Sequence, residues 1–309
     1  MKKLIVSPSP HLLSGNSTSN IMFDMIVALF PALLVGIYVF GPRALIVTCV
    51  CVATCMLSEF LIRKLMRRSN TISDFSAIVT GILLAFNLPP QIPLWVAVIG
   101  SVFAIVVVKQ LFGGIGQNFA NPAIAARIFL VVSFGTYMTS WTEPFAYRYG
   151  LDATASATPL TDLANTKTLD LLLGNTSGCI GEISALALLI GGIYLVIRRV
   201  INPLVPFTFI GTVFVFTWVL GEDPVKQILA GGLMLGAIFM ATDYSTTPAT
   251  LKGKIIFAFG CGVITTLIRV FGSYPEGVSF AILLMNLITP LIDRITATKP
   301  VGTGGTNRV

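Results

Sequence analysis

Few residues in this sequence have side chains suited to forming a site, and most of them lie where a long apolar pattern is interrupted. The longest interruption, residues 135–181, contains Ser156-Ala-Thr158-Pro-Leu160, and Asp152 precedes Thr158 by six residues. A polar segment of this length is far longer than an ordinary connection and is usually functional or disordered. The Thr158 hydroxyl is therefore a candidate site. The alternative is a hydrophilic loop in which Ser-Ala-Thr-Pro forms only a turn.

A second group of polar residues interrupts the apolar pattern at 113–122. Asn118 and Asn121 lie there, directly before a short apolar span. An Asn side chain supplies both donors and an acceptor, which suits the polar edge of a heterocyclic ligand. The alternative is that these residues cap the end of a helix, because Asn is also a preferred N-cap residue.

Carboxylates in or near apolar spans are costly in a membrane and are candidates for function. Asp243 is singled out because it follows a broken apolar stretch rich in Gly and Ala and precedes Ser245, Thr246 and Thr247. Their hydroxyl and carbonyl oxygens are hard ligands of the kind that Na⁺ favours, so Asp243 is a candidate cation site. The alternative is an Asp that caps the following turn. The other such carboxylates are Asp24, Glu59, Asp74, Glu182 and Asp293.

The composition predicts a polytopic membrane protein. Of 309 residues, 55% are hydrophobic and 11% are charged, with a mean hydropathy of +0.88, whereas soluble domains carry roughly 25% charged residues. The net charge of +7 comes from short basic clusters beside apolar spans. That distribution reports membrane topology and argues against nucleic-acid binding. The single His11 excludes a His-based metal centre and a Ser-His catalytic arrangement.

The apolar pattern predicts an all-α protein with about ten transmembrane helices. Five precede the polar segment and five follow it, which divides the chain into a first membrane half (1–134), an external segment (135–181) and a second membrane half (182–309). The predicted spans are 21–40, 44–62, 75–88, 94–112, 123–134, 183–197, 204–220, 228–241, 255–268 and 278–292.

The two halves resemble each other in sequence. Gly81-Ile-Leu-Leu-Ala-Phe-Asn87 aligns with Gly236-Ala-Ile-Phe-Met-Ala-Thr242, and a Pro follows each stretch. Because each half holds an odd number of helices, the repeats are predicted to be inverted in the membrane. Inverted repeats usually place broken-helix backbone where it can line a site.

The Lys and Arg residues predict the orientation in the cell (inner) membrane. Most of them fall on one side if both termini are cytoplasmic, as the Arg63–Arg68 cluster and the basic carboxyl terminus illustrate. The acidic pair Glu222-Asp223 and the segment with Thr158 then fall on the external side.

Short motifs recur along most of the chain: Ser7-Pro-Ser-Pro-His11, Ala28-Leu-Phe-Pro-Ala32, Asn118-Phe-Ala-Asn-Pro-Ala123, Ser156-Ala-Thr-Pro-Leu160, Gly181-Glu182, Met240-Ala-Thr-Asp243 and Tyr274-Pro-Glu-Gly277. These motifs resemble those of the RnfD/NqrB family, and the chain, without a long amino-terminal extension, is more similar to RnfD. One departure is Ala155, three residues before Thr158, where the family often has Ser or Thr.

The resemblance implies a flavin-carrying subunit, not catalytic alone, of a complex that couples ferredoxin and NAD redox chemistry to Na⁺ or H⁺ transport. It implies covalent FMN on Thr158 through a phosphoester bond, and riboflavin held without a covalent bond, for which Asn118 and Asn121 are the candidates. The implied partners are a second flavin-bearing subunit and iron–sulfur subunits, and the implied fold is similar to that of urea transporters. Two alternatives remain: a small-solute channel or transporter of that fold without a redox role, and a passive scaffold for partner subunits.

Overall fold

The computed structural model describes residues 17–148, 155–156, 158–161, 163, 166–272 and 276–297. The amino-terminal motif at 7–11, Asp152 and both chain ends lie outside the described residues. The cytoplasmic position of both termini therefore stays a prediction.

The described part of the chain is mostly helical, with thirteen α-helices, of which two continue as π-helices. The helices are α1 Thr18–Phe40, α2 Pro42–Leu65, α3 Ser76–Phe86, α4 Leu94–Val102 with the π-helix Phe103–Gln110, α5 Pro122–Ser133, α6 Gly135–Met138, α7 Thr168–Leu173, α8 Ala185–Ile197, α9 Leu204–Val219, α10 Pro224–Leu229, α11 Leu233–Leu235 with the π-helix Gly236–Met240, α12 Leu251–Phe271 and α13 Val278–Thr296.

Four helices, α1, α2, α12 and α13, are long and apolar enough to cross a membrane, since a span needs about 20 residues. Five further helices are apolar but shorter: α3, α4 with its π-helix, α5, α8 and α9. The predicted span 228–241 is instead divided, because α10 ends at Leu229 and Gly231 adopts a positive φ of 65° before α11 begins. Four of the ten predicted spans are thus observed as full-length helices, and the number ten stays a prediction.

Two short helices, α3 and α11 with its π-helix, lie at the centre of the helix bundle. Ten of the eleven residues of α3 are buried, as is every residue of Leu233–Met240. A helix that is apolar all round belongs in a core, not at a surface. The two ends approach each other, because Asn87 Nδ2 donates to Met240 Sδ at 3.7 Å. The two aligned stretches found in the sequence are therefore neighbours at the centre.

Helices at matching positions of the two halves pack on each other. Between the halves, helix α1 packs on α8 and α5 packs on α13. Within the first half α2 packs on α4, and within the second half the corresponding helices α9 and α12 pack on each other. The approach of α1 to α8 is close, since a Cβ added at Gly191 would overlap the Ala28 carbonyl oxygen. These pairings are those expected of two equivalent halves. The inverted orientation of the halves and the similarity to urea transporters stay predictions.

The polar segment 135–181 is folded in its described parts. Besides α6 and α7 it contains two short antiparallel strands, β1 (Trp141–Thr142) and β2 (Ala155–Ser156), which modify the all-α prediction. Its carboxyl end is buried, because Ile180 N donates to Leu88 O at 3.1 Å and Gly181 N donates to Phe86 O at 3.1 Å. This end of the segment therefore pairs with the open carbonyl groups at the end of α3. The domain boundaries at 134 and 181 stay predictions.

Candidate functional site

The structure brings three of the predicted site residues together in one cleft, which we call the amide cleft. Asn118, Asn121 and Asp243 line it, together with Lys109 and Phe239. Met22, Met25, Val79 and Leu83 form part of its apolar wall, and its cavity volume is about 80 Å³. Mostly apolar walls with a few convergent polar groups are typical of a cofactor site.

Asn121 caps helix α5. Its Oδ1 accepts hydrogen bonds from Ala123 N at 3.0 Å and Ile124 N at 3.4 Å, and its Nδ2 donates to Met240 O at 3.4 Å. The capping alternative is thus observed for this residue, although its amide still lines the cleft. Asn118 does not cap a helix in this way, because its Nδ2 donates to Ala120 O at 2.9 Å within the break.

Both π-helices end at the amide cleft. Phe103–Gln110 includes Lys109, and Gly236–Met240 is followed within three residues by Asp243. The π-helix is rare and is frequently found at functional sites, because its wider turn redirects the side chains that follow. No feature of the sequence indicated these two segments.

Asp243 is hydrogen-bonded mainly by its own neighbours. Its Oδ2 accepts from Ser245 Oγ at 2.9 Å and from Thr246 Oγ1 at 3.1 Å. Both donors are side-chain hydroxyls, so these bonds are not a backbone cap, and the alternative that Asp243 caps the following turn stays a prediction. The same carboxylate also lines the amide cleft. Its role as a cation site stays a prediction.

A buried ion pair at the edge of the cleft was not predicted from the sequence. Lys109 Nζ lies 2.8 Å from Glu59 Oε2 and donates to Ser76 Oγ at 2.6 Å, while Thr71 Oγ1 donates to Glu59 Oε1 at 2.7 Å. In the sequence, the position of Lys109 near the end of an apolar span indicates only the orientation of that span in the membrane. The pair joins residues 50 positions apart, which periodicity cannot reveal.

Thr158 lines a second cavity, which we call the threonine cavity. It is small, with a cavity volume of about 10 Å³, and it is also lined by Thr176, Glu182, Gly231 and Glu276. The Thr158 side chain is buried, with 4% of its surface exposed. The predicted external position of this residue therefore concerns the face of the membrane, not exposure of the hydroxyl.

A buried charge cluster lies beneath the threonine cavity. Arg127 of α5 forms ion pairs with Glu182 Oε1 at 2.7 Å and with Glu276, and it donates to Asn87 Oδ1 at 2.6 Å. Arg127 Nη2 also approaches Cys179 Sγ at 3.8 Å. The cluster therefore joins α5, the end of α3, the buried end of the polar segment and Glu276, two residues before α13.

This cluster contains the one group of three potential metal ligands found among the described residues. Cys179, Glu182 and Glu276 place ligand atoms within 4.8 Å of one another. The Arg127 guanidinium already binds both carboxylates, so the protein itself supplies the compensating positive charge. Sequence analysis missed Arg127, although a lone Arg inside the apolar span 123–134 was a visible signal.

Comparison with known proteins decides the family. The profile of the NQR2, RnfD, RnfE family matches residues 5–302, nearly the whole chain. This chain belongs to that family. The resemblance stated from the sequence motifs is thereby confirmed. Family membership together with the apolar helices also confirms a multi-pass membrane protein.

The relatives of the chain in this family share its full length. The D subunit of the Na⁺-translocating ferredoxin:NAD⁺ oxidoreductase complex of Acetobacterium woodii is 50% identical over 97% of this chain and 95% of its own. The D subunit of the proton-translocating ferredoxin:NAD⁺ oxidoreductase complex of Clostridium ljungdahlii is 43% identical over 96% of each chain. The D subunit of the ion-translocating oxidoreductase complex of Shewanella amazonensis is 37% identical over 97% of this chain and 98% of its own.

We expect Arg127→Met to lower thermal stability strongly, because it leaves Glu182 and Glu276 without their buried cation. Breaking a buried pair from one side typically costs about 3–5 kcal/mol. The matched control is Arg198→Met, whose pair with Asp24 is formed by a side chain that is 55% exposed and contributes no more than about 1 kcal/mol. Melting of the detergent-purified protein measures both, and equal melting temperatures for the two variants would contradict this account of the cluster.

Proposed function

We propose that the chain is the flavin-carrying membrane subunit of an ion-translocating ferredoxin:NAD oxidoreductase complex. It passes electrons between FMN bound covalently to Thr158 and riboflavin bound in the amide cleft. The observation that favours this function is that both predicted flavin positions border cavities, and that the same short helices connect the two cavities.

Two connections between the cavities are visible. Helix α5 begins at Asn121 in the amide cleft, and six residues later Arg127 binds the carboxylates that line the threonine cavity. Six helical residues rise about 9 Å. Along the second half, Gly231 borders the threonine cavity and Phe239 borders the amide cleft. Residues that border the two cavities are therefore joined by short stretches of helix, which supports electron transfer between the amide cleft and a flavin on the Thr158 segment.

The residues that line the amide cleft support the proposal of a flavin there. Asn118 and Asn121 present amide groups that can bond the polar edge of the ring, and the apolar wall around Leu83 and Phe239 suits its flat body. The flavin supplies the electron chemistry, and the protein supplies orientation, exclusion of water and charge. A tethered second flavin would stay at one face of the protein without a dissociation equilibrium.

Attachment of FMN requires the Thr158 hydroxyl to turn out of the threonine cavity. A phosphodiester carries a negative charge, and the cavity is already lined by the carboxylates of Glu182 and Glu276. Like charges at short distance are unfavourable in a buried site. Arg148 and Lys167 are the candidate partners of the phosphate outside the cavity. The Arg148 guanidinium is held over the Phe145 ring at 4.7 Å from its centroid, close to the surface.

The partners of the chain in this proposal are a second flavin-bearing subunit and iron–sulfur subunits. Both termini are cytoplasmic and the Thr158 segment is external. The relatives named above translocate Na⁺ in one organism and protons in another, so membership of the family does not choose between Na⁺ and H⁺. A solute channel of the same fold would have no use for a flavin acceptor.

The two flavins are expected to respond to opposite variants. Thr158→Ala should abolish in-gel flavin fluorescence of the denatured chain and leave acid-extractable flavin unchanged. Asn118→Leu should lower acid-extractable flavin and leave the in-gel flavin fluorescence unchanged. Asn121→Asp tests the cleft without removing the cap, because Asp also caps helices well. Peptide mass spectrometry should find FMN minus water on Thr158. A wild-type chain with neither flavin would favour the channel.

The orientation can be measured by labelling single cysteines from each side of the membrane in a variant that lacks the five native Cys. A cysteine placed at Thr161 should react with a membrane-impermeant reagent added from outside, because the Lys and Arg distribution places this segment on the external side. One at Arg67 should react only from the cytoplasm. Labelling of both positions from the same side would contradict the topology.

The cation role of Asp243 is tested by Asp243→Asn. A capping Asp tolerates Asn with little loss, because Asn caps nearly as well. A cation site loses one charge and should need a higher Na⁺ concentration for the same rate. Ferredoxin-driven NAD reduction by the complex in vesicles, measured against Na⁺ concentration, separates the two. An unchanged Na⁺ dependence would leave Asp243 a structural residue.

A further inference from the structure

The Lys109–Glu59 ion pair lies where it can act on the amide cleft. Lys109 and Ser76 both line the cleft, and Lys109 Nζ donates hydrogen bonds to both Glu59 and Ser76. The Lys109 side chain is 3% exposed and Glu59 is 0% exposed. The ammonium group is therefore bound to a buried carboxylate, and the residue that carries it borders the cleft.

Lys109 is the one cationic side chain among the described residues that line the cleft. The facing charged group, Asp243, is an anion. Lys109 is also linked to a second carboxylate, because Ser76 Oγ accepts from Lys109 and donates to Asp74 Oδ1 at 2.5 Å. Two carboxylates are thus linked to the ammonium group, Glu59 directly and Asp74 through Ser76, and they reduce the positive potential that the cleft experiences.

We propose that Lys109 is a positioning residue that sets the reduction potential of the flavin in the amide cleft, and that Glu59 limits this effect. The inference rests on the proposed flavin in the cleft. Each electron delivered there from a flavin or iron–sulfur group of a partner subunit adds one negative charge, unless a proton follows it. A cation in the low-dielectric cleft wall favours that charge, because Coulomb interactions are weakly screened there.

The Lys109 side chain is suited to this role. A Lys ammonium is a compact charge on a flexible stem with three donors, so it can turn from Glu59 toward new negative charge without movement of the backbone. The π-helix that carries Lys109 ends at the cleft, which keeps the group at its edge. Reduction would then weaken the Lys109–Glu59 bond and oxidation would restore it.

The test is a redox titration of the non-covalent flavin in the purified complex, with the covalent flavin as internal reference. At a fixed ambient potential, Lys109→Met should lower the ratio of reduced to oxidised flavin about tenfold or more, equivalent to about 30 mV for a two-electron couple. Glu59→Gln should raise the ratio, because it removes the negative charge that offsets the Lys109 ammonium group. Lys109→Arg should stay near wild type, since the charge is kept.

A purely structural ion pair would lower stability in both variants without shifting the potential in opposite directions. The control is Lys64→Met, which removes an exposed Lys that lies over the Phe60 ring and should change nothing. If Lys109→Met fails to assemble, Glu59→Gln decides alone, and an unchanged or lower ratio overturns the inference. Unshifted potentials with the flavin present overturn the inference but leave the proposed function standing. A wild-type complex without extractable flavin overturns the cofactor assignment of the cleft itself.

Discussion

The structure depends on one buried electrostatic contact, that of Arg127 with Glu182 and Glu276. A buried ion is very costly unless it is paired and hydrogen-bonded, and Arg127 meets this need with two carboxylates and the Asn87 amide oxygen. The bidentate guanidinium is well suited to such a junction. Because its partners come from three separate parts of the chain, the contact requires those parts to be in place together. It also holds in place Glu182 and Glu276, the two carboxylates that line the threonine cavity.

The second constraint is the satisfaction of backbone groups at the ends of the short central helices. A helix that stops inside a bundle leaves open carbonyl groups, and irregular backbone at membrane depth is tolerated only where it is buried in protein or lines a cavity. The end of α3 meets this constraint through hydrogen bonds from Ile180 and Gly181. Asn121 meets it at the start of α5. The hydrogen bonds that satisfy these open backbone groups therefore also shape the two cavities.

Charge is distributed unequally between the two cavities. The threonine cavity is lined by two carboxylates whose cation lies beneath them, whereas the amide cleft holds one cation, Lys109, opposite one anion, Asp243. In a site of low dielectric such placement determines where added negative charge is most stable. An added negative charge would thus be stabilised differently in the two cavities.

The sequence by itself determined the class of protein, the family and the identity of the polar residues at each break, because these follow from composition, hydrophobic periodicity and short motifs. It predicted Thr158, Asn118, Asn121 and Asp243, and the structure shows that three of them share one cleft. It also raised capping as an alternative for Asn118, Asn121 and Asp243, and the structure shows the cap of Asn121.

Only the tertiary structure decided which charges are paired. Arg127 and Lys109 each lie in an apolar stretch with no charged neighbour at helical spacing, and their partners Glu182 and Glu59 are 55 and 50 positions away in the chain, with Glu276 farther still. The two π-helices and the burial of residues 176–184 were likewise invisible in the sequence. The physical reason is that local patterns report which face of a segment is apolar, whereas the partner of a buried charge is chosen by how distant segments pack.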